Sequence, residues 1–391
     1  MEKFIEKDKK YLMQTYTRQP IVLQSGKGAV VLDINGKKYI DCVAGIAVNN
    51  VGHCHPKVVK AIQKQVEKLI HISNLYYCEL QVELAEQLVN LTNMDKVFFC
   101  NTGTEAMEAA LKLARKSTGK TDFIATEGGF HGRTLGALSV TYKEQYRKPY
   151  EPLISGVTFV PYNDAKSLEE KITPKTCAVI LEPIQGESGV IVPSEDYLKE
   201  VSSICNEKGI LLILDEVQTG FGRTGKWFAK EHYKVEPDIM TLAKAIGGGF
   251  PIGATLAKEN IAKEFKSGDH GSTFAGNPLA CASALSAIEV IKEEKLVEKS
   301  AELGEYFINK LKAIQNPDIV EVRGKGLMIG MELQQVAGGI VDKARNKGVL
   351  LNCITDKVLR FVPPLVITKE QIDKVVEVVE KVIEYRTTTP P

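Results

Sequence analysis

Seven short apolar runs punctuate the middle of this chain: KVFFC (96–100), DFIAT (122–126), VTFVP (157–161), CAVILE (177–182), GILLILDE (209–216), DIMTLA (238–243) and IGATLA (252–257). Most are aliphatic or β-branched on both faces, as strands are when helices cover both sides of a sheet. Helical stretches such as EAMEAALKLARK alternate with them. That alternation predicts an α/β fold with a large, mainly parallel, doubly wound sheet. At 391 residues the chain is too long for one simple core, so a second unit is expected.

The flanks have a different texture. In GAVVLDINGKKYIDCVAG, Asn35-Gly36 joins two alternating runs, a strong hairpin signal. After about Ala284 a helical stretch leads into IVEVRGKGLMIGMEL, two strand-like runs about a glycine turn. The last element reads as a helix opened by a capping box, Thr368 with Gln371, with Ile372, Val375, Val376, Val379 and Ile383 on one face. The TTTPP that follows is expected to be disordered. This gives an N-terminal segment (1–55) packing with a small domain, a large α/β domain (56–285) and a smaller α+β domain (286–391).

Lys plus Arg number 50 against 49 Asp plus Glu, so no global field draws nucleic acid or an anionic membrane. Any anionic ligand must be recognised locally. The charged N-terminus lacks the apolar stretch of a secretory signal. No run approaches the roughly 20 residues a membrane helix needs. Eight scattered cysteines without a CxxC pair read as reduced thiols, so a cytoplasmic protein is expected.

In open α/β sheets, ligands bind at the carboxyl ends of strands. GILLILDE runs straight into Asp215, for which helix capping is the bland role. The next strand-like run sets Lys244 between apolar residues and Gly247-Gly248-Gly249. A buried ammonium there is costly unless it is paired or deprotonated. A strand-end Asp and a strand-end Lys facing one cleft are what pyridoxal phosphate chemistry requires: the Lys forms a Schiff base, and the carboxylate keeps the pyridinium protonated. FFCNTGTEAMEAAL adds a strand, a turn and a helix start. It puts Gly103 and Thr104 where free amides and the helix dipole favour a phosphate.

Seven stretches occur in order: NTGTEA (101–106), GGFHGRT (128–134), EPIQGE (182–187), DEVQTGFGRTG (215–225), TLAKAIGGGFPIGA (241–254), GSTFAGNPLA (271–280) and LRFVPP (359–364). Together they closely resemble the class III, fold-type-I pyridoxal phosphate aminotransferases, and within them the acetylornithine aminotransferases. The resemblance spans nearly the whole chain. It implies ping-pong transfer of the terminal amino group of N-acetylornithine to 2-oxoglutarate, giving N-acetylglutamate 5-semialdehyde and glutamate. Relatives on the same scaffold use succinyl-diaminopimelate, 4-aminobutyrate, ornithine or a lysine-pathway precursor.

The resemblance also implies roles. Lys244 forms the Schiff base and shuttles the proton, Asp215 pairs with the pyridinium, Gln218 reaches the ring's phenolic oxygen and Phe130 stacks on the ring. Gly103 and Thr104 hold the phosphate, joined by Thr273 from the second subunit of a homodimer. Arg133 takes the α-carboxylate of acetylornithine. Arg360 takes a carboxylate of glutamate or 2-oxoglutarate, Glu187 neutralises it in between, and Ser272 touches the amino donor. Met107 stands where Asn is common and Ser188 where Gly is common, so both are expected to bear on pocket shape.

A nicotinamide-dependent dehydrogenase would share the alternation but gives Lys244 and Asp215 no task. A non-catalytic binding protein leaves the whole set of chemical residues unexplained. His53, Cys54 and His55 in GHCHP lack a second cluster to make up zinc's four or so ligands, so they read as a turn before a helix and no metal is expected. GKGLMIG (324–330) has the wrong spacing for a dinucleotide fingerprint and reads as a strand turn.

Overall fold

The computed structural model describes residues 2–387. After a helix at Glu2–Tyr11 come three strands, β1 (Leu23–Lys27), β2 (Val30–Asp33) and β3 (Lys38–Asp41), paired antiparallel. The Asn35-Gly36 hairpin forms between β2 and β3, and Asp33 Oδ1 braces it by accepting from the amides of Asn35 and Lys37. His53 and His55 do flank a turn. His53 Nε2 lies 2.7 Å from Asp41, while His55 caps the helix Pro56–Val66 and meets Glu294 at 2.9 Å.

The seven apolar runs then form one sheet. Its strands are β4 (Lys96–Cys100), β5 (Asp122–Thr126), β6 (Val157–Val160), β7 (Thr176–Leu181), β8 (Leu211–Asp215), β9 (Ile239–Leu242) and β10 (Gly253–Ala257). The order is β4-β10-β9-β8-β7-β5-β6. Strands β5 to β9 pair in parallel, and β10 runs against both of its neighbours, β9 and β4.

Alternation of side chains along each strand explains the two helix layers. Phe123, Ala125, Ile180 and Ile213 pack with Met107, Ala110, Leu113 and Ala114 of the helix Gly103–Thr118. Their neighbours Ile124, Val179, Leu181, Leu212 and Leu214 pack with Leu198, Val201 and Cys205 of the helix Tyr197–Lys208. Full burial of each large aliphatic side chain stabilises the fold by about 1.5–3 kcal/mol. In β7, β8 and β9 no charge interrupts the strand before Asp215, at an end.

The helix Pro278–Glu293, buried along most of its length, leads through Lys295 (φ 52°) into the helix Leu296–Lys312. The change of texture read near Ala284 falls inside the first of these helices. Strands β11 (Ile319–Lys325) and β12 (Met328–Leu333) pair antiparallel about the GKGLMIG turn. Next, β13 (Val349–Leu350) joins β3 in parallel, so a C-terminal strand completes the N-terminal sheet. Strands β14 (Asn352–Ile354) and β15 (Val358–Phe361) extend the other sheet in the order β11-β12-β15-β14.

The last helix, Lys369–Thr387, opens with the expected exchange of hydrogen bonds between Thr368 and Gln371 and buries Ile372, Val375, Val379 and Ile383. It takes in Thr387, the first residue of TTTPP; residues 388–391 lie outside the described residues. Among the described residues no helix is long and apolar enough to cross a membrane, and all eight cysteines are free.

Candidate active site

A cavity of about 450 Å³ opens at the carboxyl edge of the large sheet. Register explains what gathers there. Asp215 pairs with Thr241 across β8 and β9, so Asp215 and Lys244, three residues beyond Thr241, leave adjacent strands at the same edge. Antiparallel β10 starts at Gly253 opposite Cys100, which brings the 243–253 loop against the 101–104 turn.

Lys244 lines the cavity in a left-handed conformation, φ 49°, that side chains rarely adopt. It opens a short 3-10 turn to Gly247, whose carbonyl accepts from Ser283 Oγ at 2.7 Å. Gly248 follows at φ 58° and reverses the chain. Burial pushes the Lys244 ammonium below its usual range. The Glu187 carboxylate opposes that shift and Arg360 adds to it.

Asp215 is buried against His131, with Oδ2 2.8 Å from Nδ1, and its Oδ1 accepts from the Val217 amide at 3.1 Å. A carboxylate offers about four lone pairs, so capacity remains for a further cationic partner. His131 is absent from the sequence reading, as is Glu182. Burial works against an imidazolium at His131, but the hydrogen bond and charge of Asp215, with Glu182 behind them, raise its pKa. Glu182 is buried and accepts from the amides of Phe130 and Gly186, both at 3.1 Å; burial pushes it up to about 7. It follows the strand in CAVILE as Asp215 ends the one in GILLILDE, so the rule that picks out Asp215 would have found it. His131 carried no such signal beyond its place in FHGRT.

At the helix Gly103–Thr118 a capping box joins Thr102 and Glu105. It engages the amides of Asn101, Thr102 and Glu105 and leaves those of Gly103 and Thr104 outside it. A Cβ on Gly103 would come 2.8 Å from Val217, so only glycine lets this turn close on the 215–218 segment. The Thr104 hydroxyl lies 2.8 Å from that of Thr134 and accepts from the Arg133 and Thr134 amides, which ties the turn to the FHGRT loop.

The two arginines are in opposite states. Arg360 is fully buried on β15; its Nη1 donates to Glu187 at 2.5 Å and to Gln218 at 3.3 Å. Burial alone would raise the Glu187 carboxyl, yet Arg360 holds it below its usual value. Arg133 is exposed at the cavity, and among the described residues no carboxylate pairs with it.

Phe130 and Gln218 line the cavity, but Ser272 and Thr273 do not. Both lie on a second cavity beside Asn74 and His270, and Ser272 Oγ accepts from Asn101 at 3.0 Å. Neither Met107 nor Ser188 lines the first cavity. Met107 is buried in the core beneath the sheet, and Ser188 acts at one remove, its hydroxyl tying the 186–189 loop to the Gly128 carbonyl. An amine of lowered basicity, a strand-end carboxylate, an aromatic face and a helix start with spare amides form a donor set that fits pyridoxal phosphate.

The comparisons agree with this geometry. Residues 11–383 match the model of the family described as Aminotransferase class-III. The chain is 65% identical over 378 residues to the acetylornithine aminotransferase of Methanosarcina mazei, covering 96% of this chain and 95% of that one. The solved ornithine aminotransferase from Toxoplasma gondii is 36% identical with a TM-score of 0.96, covering 99% of this chain and 95% of that one. The solved acetylornithine aminotransferase from Elizabethkingia anophelis is 37% identical with a TM-score of 0.88, covering 98% and 99%. Fold, site chemistry and likeness along nearly the full length converge: the chain belongs to the class III aminotransferases, enzymes that work with pyridoxal phosphate.

Proposed function

We propose that this enzyme carries the δ-amino group of N-acetylornithine to 2-oxoglutarate, leaving N-acetylglutamate 5-semialdehyde and glutamate. The observation that carries this reading is the pair of arginines in opposite states, Arg360 neutralised by Glu187 and Arg133 without a carboxylate partner among the described residues. N-acetylornithine reacts far from its carboxylate, which Arg133 takes. Glutamate reacts beside its carboxylate and needs Arg360, so Glu187 must release it. The names of the relatives support the same donor.

When bound, pyridoxal phosphate supplies an electron sink and carries the amino group between half-reactions. Lys244 Nζ takes and returns the proton at the substrate carbon bearing the amine, and its lowered basicity suits a base near neutral pH. Asp215, oriented by His131, would hold the proton of the cofactor's ring nitrogen. Gly103 and Thr104 would hold the phosphate, Phe130 would stack on the ring and Gln218 would meet its phenolic oxygen. Thr273, with Ser272 beside it, reaches the site of a second copy in a cytoplasmic homodimer. The exposed side chains of Leu75, Tyr76, Tyr77 and Phe274 around that segment support such a pairing.

The high TM-score to an ornithine aminotransferase favours free ornithine as a second reading. Mixing the enzyme with N-acetylornithine, ornithine and glutamate separately, and following loss of the bound cofactor's visible (yellow) absorbance, decides between them. Fastest conversion by N-acetylornithine is expected; faster conversion by ornithine replaces the first reading with the second.

A further inference from the structure

The Arg133 guanidinium carbon lies 3.4 Å from the centroid of the Tyr146 ring and 5.6 Å from that of Phe130. Lys143 Nζ stands 5.1 Å from the same Tyr146 centroid. These two cations share one ring, so they lie within about a Debye length of each other, roughly 10 Å at 0.1 M salt. Among the described residues neither has a carboxylate partner.

The platform itself is anchored. Arg147 Nε donates to the Tyr142 carbonyl at 3.1 Å and its guanidinium sits over Phe159. The Tyr142 amide donates to Gly129 at 2.9 Å, which ties the segment to the loop that carries Phe130.

Stacking engages the face of a guanidinium and leaves its in-plane N–H groups free for a carboxylate. A free Arg stem would give up about 2 kcal/mol of rotamer entropy on binding. The ring has already taken up part of that ordering. The second cation on the ring then separates two kinds of donor. An α-carboxylate beside a free α-ammonium brings a positive charge against two cations, whereas an acylated α-nitrogen brings none.

We propose that Tyr146 and Lys143 form a specificity platform at the cavity rim. It presents Arg133 and selects diamino-acid donors whose nitrogen next to the recognised carboxylate is acylated over those where it is free. The inference rests on the reading of Arg133 as the carboxylate partner.

The test measures kcat and KM for N-acetylornithine and ornithine in four variants, each checked for cofactor absorbance. Tyr146→Leu should raise KM for N-acetylornithine by roughly threefold to thirtyfold, the range of one cation–π contact, with kcat little changed. Tyr146→Phe, which keeps the ring face, should restore it. Lys143→Gln should lower the N-acetylornithine to ornithine ratio of kcat/KM severalfold, because only ornithine is relieved of repulsion. Added salt should narrow the wild-type ratio in the same sense. Tyr146→Phe as damaging as Tyr146→Leu, or a ratio that Lys143→Gln leaves alone, overturns the platform. Arg133→Ala separates the failures. If it leaves KM for N-acetylornithine unmoved, the reading of Arg133 falls; if it raises KM while Tyr146→Leu does not, the platform falls alone.

Discussion

At the scale of single residues, the site works by setting charged groups against burial. Lys244 is desolvated and strained at φ 49°, which suits a group selected for chemistry rather than packing. Lys244→Ala should bind cofactor but resist covalent trapping by borohydride and lose turnover; near-normal multiple turnover would sink its assignment. Asp215 depends on His131, so His131→Phe should cost about 1–3 kcal/mol of transition-state stabilisation by leaving a carboxylate without its buried donor. Unchanged single-turnover amine transfer would show that the pair is idle. Glu182 gives a pH signature. Its folded value, about 7, lies above its ordinary 4.5, so its contribution is whole below about 4.5 and fades as pH rises through 7. The unfolding free energy of the wild type minus that of Glu182→Gln should therefore fall between about pH 5 and pH 8, by an amount on the order of 3 kcal/mol at most, and the gap between their Tm values should narrow with it. Parallel Tm profiles for the two proteins would mean that Glu182 does not titrate there.

At the scale of elements, what could be read from sequence was whatever local grammar determines. Strand ends, glycine turns and helix starts follow from short-range pattern, so Asp215, Lys244 and the Gly103-Thr104 turn stand out, as does the Thr368 capping box. His131 and the stacking of Arg133 on Tyr146 depend on closures between segments that only the folded chain brings together, and no periodicity encodes those. The helix Pro278–Glu293 blurred the texture change near Ala284 because it is apolar on nearly every face. One element-level prediction concerns the capping box. Thr102→Ala should cost about 1 kcal/mol of stability in urea unfolding and loosen cofactor binding, since the helix start it caps is the proposed phosphate seat. Lost stability with unaltered cofactor affinity would separate the cap from the seat.

At the scale of the whole molecule, Arg223 is the fastening. It is fully buried and, among the described residues, has no carboxylate partner; it donates to the carbonyls of Leu327 and Pro363 at 2.8 and 2.6 Å and to Asn50 Oδ1. Burial pulls its pKa down to about 9, so it stays charged near neutral pH. Arg223→Lys, a point charge in place of a fork, should cost about 3 kcal/mol or more. Hydrogen exchange should rise together around residues 50, 223, 327 and 363; a rise at one segment alone would show that they are not held in common. The strand order has a consequence for synthesis as well. β4 leads into the Gly103-Thr104 turn proposed to seat the phosphate, yet its sheet neighbour is β10, so Cys100 waits for Gly253. At roughly 5–20 residues per second the ribosome needs about 8–30 s to make the intervening stretch. β3 waits longer still for β13. A nascent chain cut short before residue 253 therefore gains no partial activity. It offers chaperones and proteases the open edge of a strand whose Val97 and Phe99 belong in the core.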